Sequence, residues 1–417
     1  MTIHSIEKVG AYLVHIEKPM IRQTSFLFYW MGQILSSTSF QMLSVAIGWQ
    51  MYSVTHDAFS LGFVGLAQFL PMILLTLVVG HAADRFDRRL IVFICRLVEG
   101  LIAILLLVGN IAGWLGREEI LIAAAVLGAC RAFEGPSSAA LLPQLVSKQF
   151  LQKAIAWSTS GSQVSQILGP SLGGLLYAIS GSFVYSVSAV ALFLATLFTV
   201  FIRMEPVERK TEPVTLESLF KGLVFVFKHR VILGTISLDL FAVLLGGATA
   251  LLPIFSQDIL HTGPWGLGLM RTAPAIGALL MSFYLATFPI KRAFSAALFS
   301  ALGVFGLATM LFAISTNLYL SLFALMVIGG SDVISVVIRS SLVQLQTPDE
   351  MRGRVNAVNS LFIGTSNQLG EFESGMVAGF LGAVPAAFIG GLGTIVIAGL
   401  WMYLFPPLRR IRSLSES

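Results

Sequence analysis

Long apolar stretches follow one another along the chain almost without interruption. Each is about 20 residues or longer, the length that a helix needs to cross the hydrocarbon core of a bilayer. A transmembrane barrel would instead show alternating segments of about ten residues. The pattern predicts an all-α integral membrane protein with twelve transmembrane helices, near 25–53, 59–79, 90–113, 119–141, 152–180, 182–202, 231–257, 265–288, 293–314, 318–343, 354–381 and 383–405.

Composition leads to the same class of protein. Of the 417 residues, 56% are hydrophobic and 11% are charged, whereas a soluble domain carries roughly 25% charged residues. This balance argues against a soluble enzyme, a nucleic-acid-binding module and a secreted disulfide scaffold. Cys95 and Cys130 both lie in apolar runs, so we expect neither a disulfide framework nor a metal site.

The distribution of basic residues predicts the orientation of the chain. Most of the 26 Lys and Arg residues fall in alternate connections between the predicted helices, whereas Arg117 alone lies in the others. By the positive-inside rule, the basic connections and both termini are cytoplasmic. The net charge of +5 is therefore assigned to cytoplasmic loops, not to a nucleic-acid partner. The N-terminal region has no compact apolar segment before a cleavage site, so we expect no cleavable signal peptide.

The longest connection divides the predicted helices into two sets of six. Its second part has apolar residues at helical spacing, which favours an amphipathic helix on the cytoplasmic membrane surface, although a plain spacer explains the length equally well. The predicted divisions are a cytoplasmic N-terminal segment (1–24), an N-terminal six-helix half (25–203), a cytoplasmic linker with an amphipathic helix (204–230), a C-terminal six-helix half (231–405) and a cytoplasmic tail (406–417).

An internal repeat supports two pseudo-symmetric halves. When the first half is shifted by 201 residues, 153–181 overlays 354–382, and the predicted helices also superpose. Duplicated halves around a central site are common in secondary transporters. The identical positions are Ala156, Ser165, Leu168, Gly169, Gly174 and Gly181 against Ala357, Ser366, Leu369, Gly370, Gly375 and Gly382.

A charged motif follows the second predicted helix: Gly80-His-Ala-Ala-Asp84-Arg85-Phe-Asp-Arg88-Arg89. It resembles the signature loop of the major facilitator superfamily, Gly-x-x-x-Asp-Arg-x-Gly-Arg-Arg/Lys, with Asp87 where glycine is usual. The resemblance implies the major facilitator fold and a conformational latch in which Asp84 pairs with a cation or a helix N-terminus. The alternative is an ordinary positive-inside loop, which explains the arginines but not Asp84.

Two more motifs lie within predicted helices. Arg131 and Glu134 resemble the superfamily's Arg-x-x-Gln-Gly motif, and their spacing places them on one helix face, where they could form an ion pair or act in a cavity. Gly169, Pro170, Gly173 and Gly174 resemble part of a motif of exporters in the superfamily. Small residues of this kind also serve ordinary helix packing.

Further polar residues within the predicted helices are candidates for proton coupling or for the substrate cavity. Intramembrane carboxylates are functional candidates because burying them in lipid is costly. Glu371 is favoured as the proton carrier because it continues a polar stripe and has no basic residue one helical turn away, whereas Glu373 lies on the other side of the helix. Other coupling candidates are Glu134, Asp332 and Asp239, and the cavity candidates are Arg131, Arg339, Gln33, Ser37, Gln41, Asn359 and Asn367.

Two segments of the C-terminal half resemble one branch of the superfamily. Thr-Pro-Asp-Glu-x-Arg-Gly-Arg (347–354) is shared with macrolide-efflux relatives, and Asn-Gln-Leu-Gly-Glu-Phe-Glu-Ser-Gly (367–375) is similar to the enterobactin-exporter branch. The resemblance implies proton-driven export of a siderophore across the bacterial inner membrane.

We expect the partners to be a small-molecule substrate, protons and the lipid bilayer, with no nucleic acid, no cofactor and a monomeric state. The sequence shows neither a phosphate-binding glycine loop nor a metal-ligand spacing, so we expect that the protein is not an enzyme. Multidrug or macrolide efflux, import, and a membrane sensor or scaffold remain as alternatives.

Overall fold

The structure of the protein is a computed structural model. It describes residues 3–147, 149–203, 223–288, 290, 293–348 and 351–410. Within these ranges, the side chains of 3–23, 76–85, 353, 357, 360, 361 and 410 are not described.

The described part of the chain is predominantly helical and contains no strand. Twelve long helices correspond in order to the twelve predicted spans, and a short helix follows the last of them. They are α1 (Ile3–Thr55), α2 (Ala58–Arg85), α3 (Arg88–Ala112), α4 (Arg117–Leu145), α5 (Leu151–Ile179), α6 (Gly181–Phe201), α7 (Arg230–Leu245), α8 (Gly263–Thr287), α9 (Phe294–Ile314), α10 (Leu318–Gln346), α11 (Arg352–Leu381), α12 (Ala383–Leu404) and α13 (Pro406–Arg410).

Nine helical segments of the described residues are long and apolar enough to cross a membrane by length and composition alone. The helices outside this set are α1, α5 and α11, which carry many of the polar residues noted in the sequence. α1 also begins at Ile3, well before the predicted start at 25.

The connection between α2 and α3 accounts for the aspartate that replaces the usual glycine of the signature loop. Asp87 has a φ of −64°, so its backbone does not need glycine. Its side chain accepts a 2.9 Å hydrogen bond from the Arg89 backbone N–H and thereby caps α3. At its other end, α3 stops at Ala112 and is capped by Gly113, whose φ of 74° is the left-handed conformation that glycine favours.

The span that begins with α7 is discontinuous. After α7, a 3₁₀ turn (Ala248–Leu251), a short α-turn (Leu252–Ile254) and a π-turn (Phe255–Ile259) complete it. Gly247 lies so close to α11 that an added Cβ would stand 2.5 Å from the Gly370 carbonyl oxygen. Irregular backbone at membrane depth is tolerated where it is buried in protein, as it is here.

The two halves have matching helix contacts. α1 packs against α5 and α6 as α7 packs against α11 and α12. The contacts of α2 with α4, and of α3 with α4 and α6, recur as those of α8 with α10, and of α9 with α10 and α12. This correspondence confirms the predicted pseudo-symmetry.

Glycine pairs join the halves along two helix contacts. An added Cβ on Gly174 of α5 would lie 2.4 Å from the Cα of Gly268 on α8. An added Cβ on Gly375 of α11 would lie equally close, 2.4 Å, to the Cα of Gly62 on α2. Gly174 and Gly375 are equivalent positions of the sequence repeat, so the repeat places glycine at both contacts. We call the boundary that these two contacts form the seam between the halves.

Most of the predicted linker, 204–222, lies outside the described residues. Its last turns, 223–228, are helical. Val226 is buried there in a cluster with Ile232, Val343 and Val355, whereas Phe227 is exposed. The described end of the linker therefore packs on the C-terminal half through Val226.

Candidate functional site

Four charged side chains form a network between α3 and α4. Arg96 Nε lies 2.8 Å from Glu134 Oε1, and Arg131 Nη1 lies 3.0 Å from Glu134 Oε2. Arg131 Nε is also 3.2 Å from Glu99 Oε1. Two guanidinium groups and two carboxylates balance in formal charge, as an ionic cluster in a membrane interior requires.

Polar side chains from neighbouring helices complete the bonding of this network. Arg96 donates to Gln33 Oε1 at 3.1 Å and to Thr199 Oγ1 at 2.9 Å. Ser36 donates to Glu134 at 3.0 Å, and Ser138 donates to Gln33 at 2.8 Å. Gln33 is thus engaged with the network that ties α1, α3, α4 and α6 together.

Arg131 is the member of the network that reaches accessible space. Its side chain is 21% exposed, against 1% for Glu99 and Glu134. Its guanidinium carbon lies 4.2 Å from the centre of the Phe40 ring, a cation–π arrangement. Arg131 can therefore offer a cation to a ligand while Glu134 remains enclosed.

Arg96 and Glu99 are site residues that the sequence analysis missed as a pair. They lie three residues apart on α3, the same spacing that marks Arg131 and Glu134 on α4. A search for acid–base pairs at this spacing within apolar helices would have found them.

A second charged cluster lies in the C-terminal half. Arg339 of α10 forms a salt bridge with Asp239 of α7, and its Nη2 lies 3.8 Å from Asp332 Oδ1. These groups line a cavity of about 140 Å³. The predicted cavity residues Asn359 and Asn367 of α11 also line it, together with Thr235, Val243, Val336, Ser340, Val343, Ile363 and Ser366.

The charge balance of this cluster differs from that of the N-terminal half. Two carboxylates, Asp239 and Asp332, share one guanidinium, so the formal charge is −1. Asp332 has 46% of its side chain exposed, whereas Asp239 and Arg339 have 10% each. The arrangement can take up one positive charge, and the pairing with Asp239 reduces the availability of Arg339 to an anion.

Glu371 lies at the seam between the halves. An added Cβ on Gly65 of α2 would stand 3.3 Å from Glu371 Oε2. Arg271 of α8 interacts electrostatically with Glu371, and its buried Nε has no hydrogen-bond partner among the described residues. The spacing along α11 gave no sign of this cation, because it comes from another helix. Glu373 accepts a 3.4 Å hydrogen bond from its neighbour Ser374.

Three of the remaining candidates, Gln41, Gly169 and Gly173, lie along the contact between α1 and α5. Gln41 approaches Gly169, whose added Cβ would stand 2.5 Å from the Gln41 Cβ, and Gly173 approaches the Met42 backbone. Ser37 accepts a 3.5 Å hydrogen bond from Gln33. Pro170 is buried within α5.

The predicted latch is described in part. Gly80, Asp84 and Arg85 lie outside the residues whose side chains the structure describes. Arg88 donates to the Ala140 carbonyl of α4 at 3.1 Å. Arg89 donates to the carbonyls of Thr199 and Val200 at the end of α6, at 3.1 and 2.7 Å. These bonds from both arginines hold helices of the N-terminal half together.

Sequence comparison identifies related proteins over nearly the whole chain. The chain is 26% identical over 404 residues to the enterobactin exporter EntS of Citrobacter koseri, covering 93% of each protein. It is 25% identical over 398 residues to EntS of Escherichia coli O1:K1, again covering 93% of each.

Solved structures show the same fold at low sequence identity. A bacterial homologue of the human lysosomal transporter Spinster, inward-facing and occupied, has a TM-score of 0.72 at 14% identity, over 93% of this chain and 97% of that one. A bacterial homologue of the iron transporter ferroportin, in an inward-facing state, has a TM-score of 0.68 at 17% identity, over 92% and 98%.

A family model establishes the assignment. The model described as transmembrane secretion effector matches residues 18–416. Together with the twelve-helix fold, this match shows that the chain is a multi-pass membrane transporter of the major facilitator superfamily and belongs to its transmembrane secretion effector family.

Proposed function

We propose that the protein exports an enterobactin-like siderophore across the bacterial inner membrane by proton antiport, with alternating access to a cavity between its halves. The relatives named enterobactin exporter support the substrate class and the direction. The intramembrane carboxylates support ion coupling, because ionisable residues within membrane spans commonly mark ion pathways and proton relays.

The observation that carries the coupling part of the proposal is the excess of carboxylates around Arg339. Arg339 forms a direct salt bridge with Asp239, whereas Asp332 Oδ1 lies 3.8 Å from Arg339 Nη2. Asp332 has no hydrogen bond within the described structure. One proton on Asp332 brings the cluster to formal neutrality, which a low-dielectric interior favours. Asp332 also lines the cavity with Asn359 and Asn367, so a proton on Asp332 would change the charge of that cavity.

The other three carboxylate candidates fit the role less well. Glu134 is held by Arg96, Arg131 and Ser36, and Asp239 is held by Arg339. Glu371 has Arg271 as a nearby countercharge at the seam. We assign Glu371 to the seam, where separation of α2 from α11 would change its surroundings.

Alternating access is supported by the position of the contacts between the halves. Gly62 with Gly375, and Gly174 with Gly268, lie toward the end of the bundle that the charge distribution predicts to be outer. The Tyr52 hydroxyl donates to Asp258 at the same end, joining α1 to the π-turn beyond α7. Contact at the outer end supports an inward-facing state in this structure.

Substrate recognition is assigned chiefly to Arg131 and its surroundings. A siderophore presents many oxygen acceptors, and Arg131 is the partly exposed guanidinium of the N-terminal network, beside the aromatic ring of Phe40. Asn359 and Asn367 supply amide groups on the opposite side, in the C-terminal half. Macrolide efflux is the second candidate, because the segment 347–354 is shared with such exporters.

Everted membrane vesicles that contain the protein test this function. With the vesicle lumen made acidic, a catecholate siderophore should accumulate in the lumen, and a protonophore should abolish the accumulation. Vesicles without the protein serve as the control. Accumulation of a macrolide but not of the siderophore would establish the second candidate, and accumulation of neither would contradict export.

A further inference from the structure

Arg271 of α8 differs from the other arginines inside the predicted spans. Arg96, Arg131 and Arg339 each contact a carboxylate directly. Arg271 contacts none and makes no hydrogen bond in the part of the chain that the structure describes. A guanidinium carries several N–H donors and stays charged in proteins, and a charge without partners is costly at membrane depth. The donors of Arg271 are therefore free to bind a molecule that enters the protein.

The position of Arg271 around α8 places its side chain away from lipid. Trp265, Ile276 and Phe283 of the same helix are exposed and mark the face that meets the bilayer. At the usual helical pitch, Arg271 lies roughly 120–140° around the helix from all three. Its Nε is enclosed, whereas the residue as a whole is partly exposed. The guanidinium therefore reaches accessible space inside the bundle.

Arg271 also lies one helical turn inward from the seam. Gly268 of α8 packs on Gly174 of α5 at the predicted outer end, and Arg271 follows Gly268 in the next turn of the helix. Because α8 begins at Gly263 at that end, Arg271 lies roughly 12 Å along the helix. A molecule that enters from the cytoplasmic side and moves to the closed end of the bundle reaches Arg271 there.

The two contacts that form the seam carry opposite charges one turn inward. At the contact of α2 with α11, Glu371 lies against Gly65, whose added Cβ would stand 3.3 Å from Glu371 Oε2. At the contact of α5 with α8, the equivalent positions, counted from the facing glycines, are Pro170 and Arg271. Glu371 and Arg271 interact electrostatically, but they form no salt bridge in the described structure. Arg271 is therefore attracted by Glu371 without being neutralised by direct contact, and a second anion can bind it.

The chemistry of a guanidinium selects a carboxylate. Its planar fork of N–H donors matches both oxygens of a carboxylate. In a catechol-containing molecule at neutral pH, the phenolic hydroxyls remain protonated, because phenols titrate at about pH 10, whereas a carboxyl group titrates at about pH 3.5 and is ionised. An acid of this kind offers its anionic group to Arg271 and leaves its catechol rings to Arg131 and Phe40.

We propose that Arg271 binds the carboxylate of the transported molecule. The identity of that molecule as a siderophore rests on the function proposed above, and the inference narrows it to a catecholate siderophore with a free carboxyl group. Binding of the carboxylate replaces the attraction of Arg271 to Glu371 by a direct contact. Arg131 and Arg339 already contact carboxylates of the chain and do not serve this group.

Equilibrium binding to the full chain in lipid nanodiscs tests the site with two probes, 2,3-dihydroxybenzoylglycine and its amide, 2,3-dihydroxybenzoylglycinamide. The probes share the catechol and differ in one carboxylate. The unchanged protein should bind the acid about tenfold more tightly than the amide. Equal affinity for the two probes, or binding of neither, would overturn the site.

Substitutions of the two facing charges should act in opposite directions. Arg271→Gln should reduce the affinity for the acid to that for the amide, and Arg271→Lys should retain part of the preference because it keeps the charge. Glu371→Gln removes the competing anion and should raise the affinity for the acid. Affinity for the amide should stay unchanged in all three variants, which also shows that each is folded.

A double variant covers the case in which Arg271→Gln alone does not fold. Arg271→Gln with Glu371→Gln removes both charges and should lack the preference for the acid that Glu371→Gln strengthens. A preference for the acid that persists without Arg271 would overturn the site. A preference that Arg131→Gln abolishes and Arg271→Gln does not would place the carboxylate at Arg131 and overturn it as well.

The binding measurement and the vesicle measurement can fail separately. Accumulation of a siderophore in vesicles, together with equal binding of the acid and the amide, would refute the Arg271 site and leave export standing. A preference for the acid that depends on Arg271, without accumulation of a siderophore, would support the site and refute export of that substrate.

Discussion

Arg96 and Glu134 are 38 residues apart in the sequence, yet Arg96 Nε lies 2.8 Å from Glu134 Oε1. Their side chains are 0% and 1% exposed, so the pair is fully enclosed between α3 and α4. Arg131 bonds the other carboxylate oxygen of Glu134 and also contacts Glu99. Glu134 is therefore the anion shared by the buried Arg96 and the partly exposed Arg131.

Glu134→Gln should destabilise the protein strongly. It leaves Arg96 buried with no carboxylate in contact among the described residues, and breaking a buried pair in this way costs about 3–5 kcal/mol. The double variant Arg96→Gln with Glu134→Gln should unfold at a higher temperature than Glu134→Gln, because the Arg131–Glu99 contact survives intact. Thermal unfolding in one fixed detergent measures both effects.

A second double variant provides the control. Arg131→Gln with Glu134→Gln also removes one charge of each sign, but it leaves Arg96 and Glu99 with no salt bridge to each other in the described structure. It should therefore be less stable than the double variant at Arg96 and Glu134. Equal stability of the two double variants, or additive losses across the cycle, would contradict the network.

Gly174→Ala and Gly375→Ala should each favour separation of the halves at the predicted outer end. An added methyl group would stand 2.4 Å from the Cα of the facing glycine in each case, so the seam has to open or shift. Spin labels at His56 and His261, which follow the first span of each half, should report a longer mean distance. The native thiols are buried and should label slowly.

The glycine on α4 that has open space around it is the matched control. Gly135→Ala should leave the label distance unchanged, because an added Cβ there meets no atom within 4 Å. An unchanged distance in both seam variants would show that these glycine contacts do not control the closure of the outer end.

Asp84→Asn should slow transport and leave the unfolding temperature unchanged. It removes only the charge of the proposed latch, at a predicted cytoplasmic loop where hydration limits the cost. Transport rate and the distance between the same spin labels measure the effect. An unchanged transport rate together with an unchanged label distance would show that Asp84 does not form a latch.

Arg89→Gln should change the stability of the protein and leave its conformational equilibrium unchanged. Its guanidinium bonds the last carbonyls of α6 within the N-terminal half. Loss of these bonds should lower the unfolding temperature, with each bond contributing about 0.5–1.5 kcal/mol. The label distance should stay the same. A shift in the distance without loss of stability would place Arg89 in the latch after all.

Much of the fold could be predicted from the sequence, because hydrophobic length is set by bilayer thickness. The twelve helices follow the predicted spans in order, and the repeat correctly paired Gly174 with Gly375. The more polar α1, α5 and α11 were still recognised from the sequence, since they retain long apolar stretches between their polar residues. The start of α1 could not be predicted, because the helix continues into sequence that shows no membrane-spanning pattern.

Contacts between different helices were harder to predict. The Arg131–Glu134 pair follows from spacing along one helix, whereas Asp239 with Arg339 and Arg271 with Glu371 are each about 100 residues apart. Periodicity along one helix contains no information about which other helix faces it. For the same reason, Arg339 was predicted only as a cavity residue, and its pairing with Asp239 came from the fold.

The most direct test of the account measures proton movement driven by substrate in reconstituted vesicles, for the unchanged protein, Asp332→Asn and Glu371→Gln. We expect that a siderophore gradient drives protons in the opposite direction with the unchanged protein. Asp332→Asn should still exchange siderophore down its gradient but move no protons, and Glu371→Gln should keep its coupling even if its rate falls. Proton movement that persists in Asp332→Asn, or that is lost in Glu371→Gln alone, would contradict the assignment of the coupling site to the cluster around Arg339.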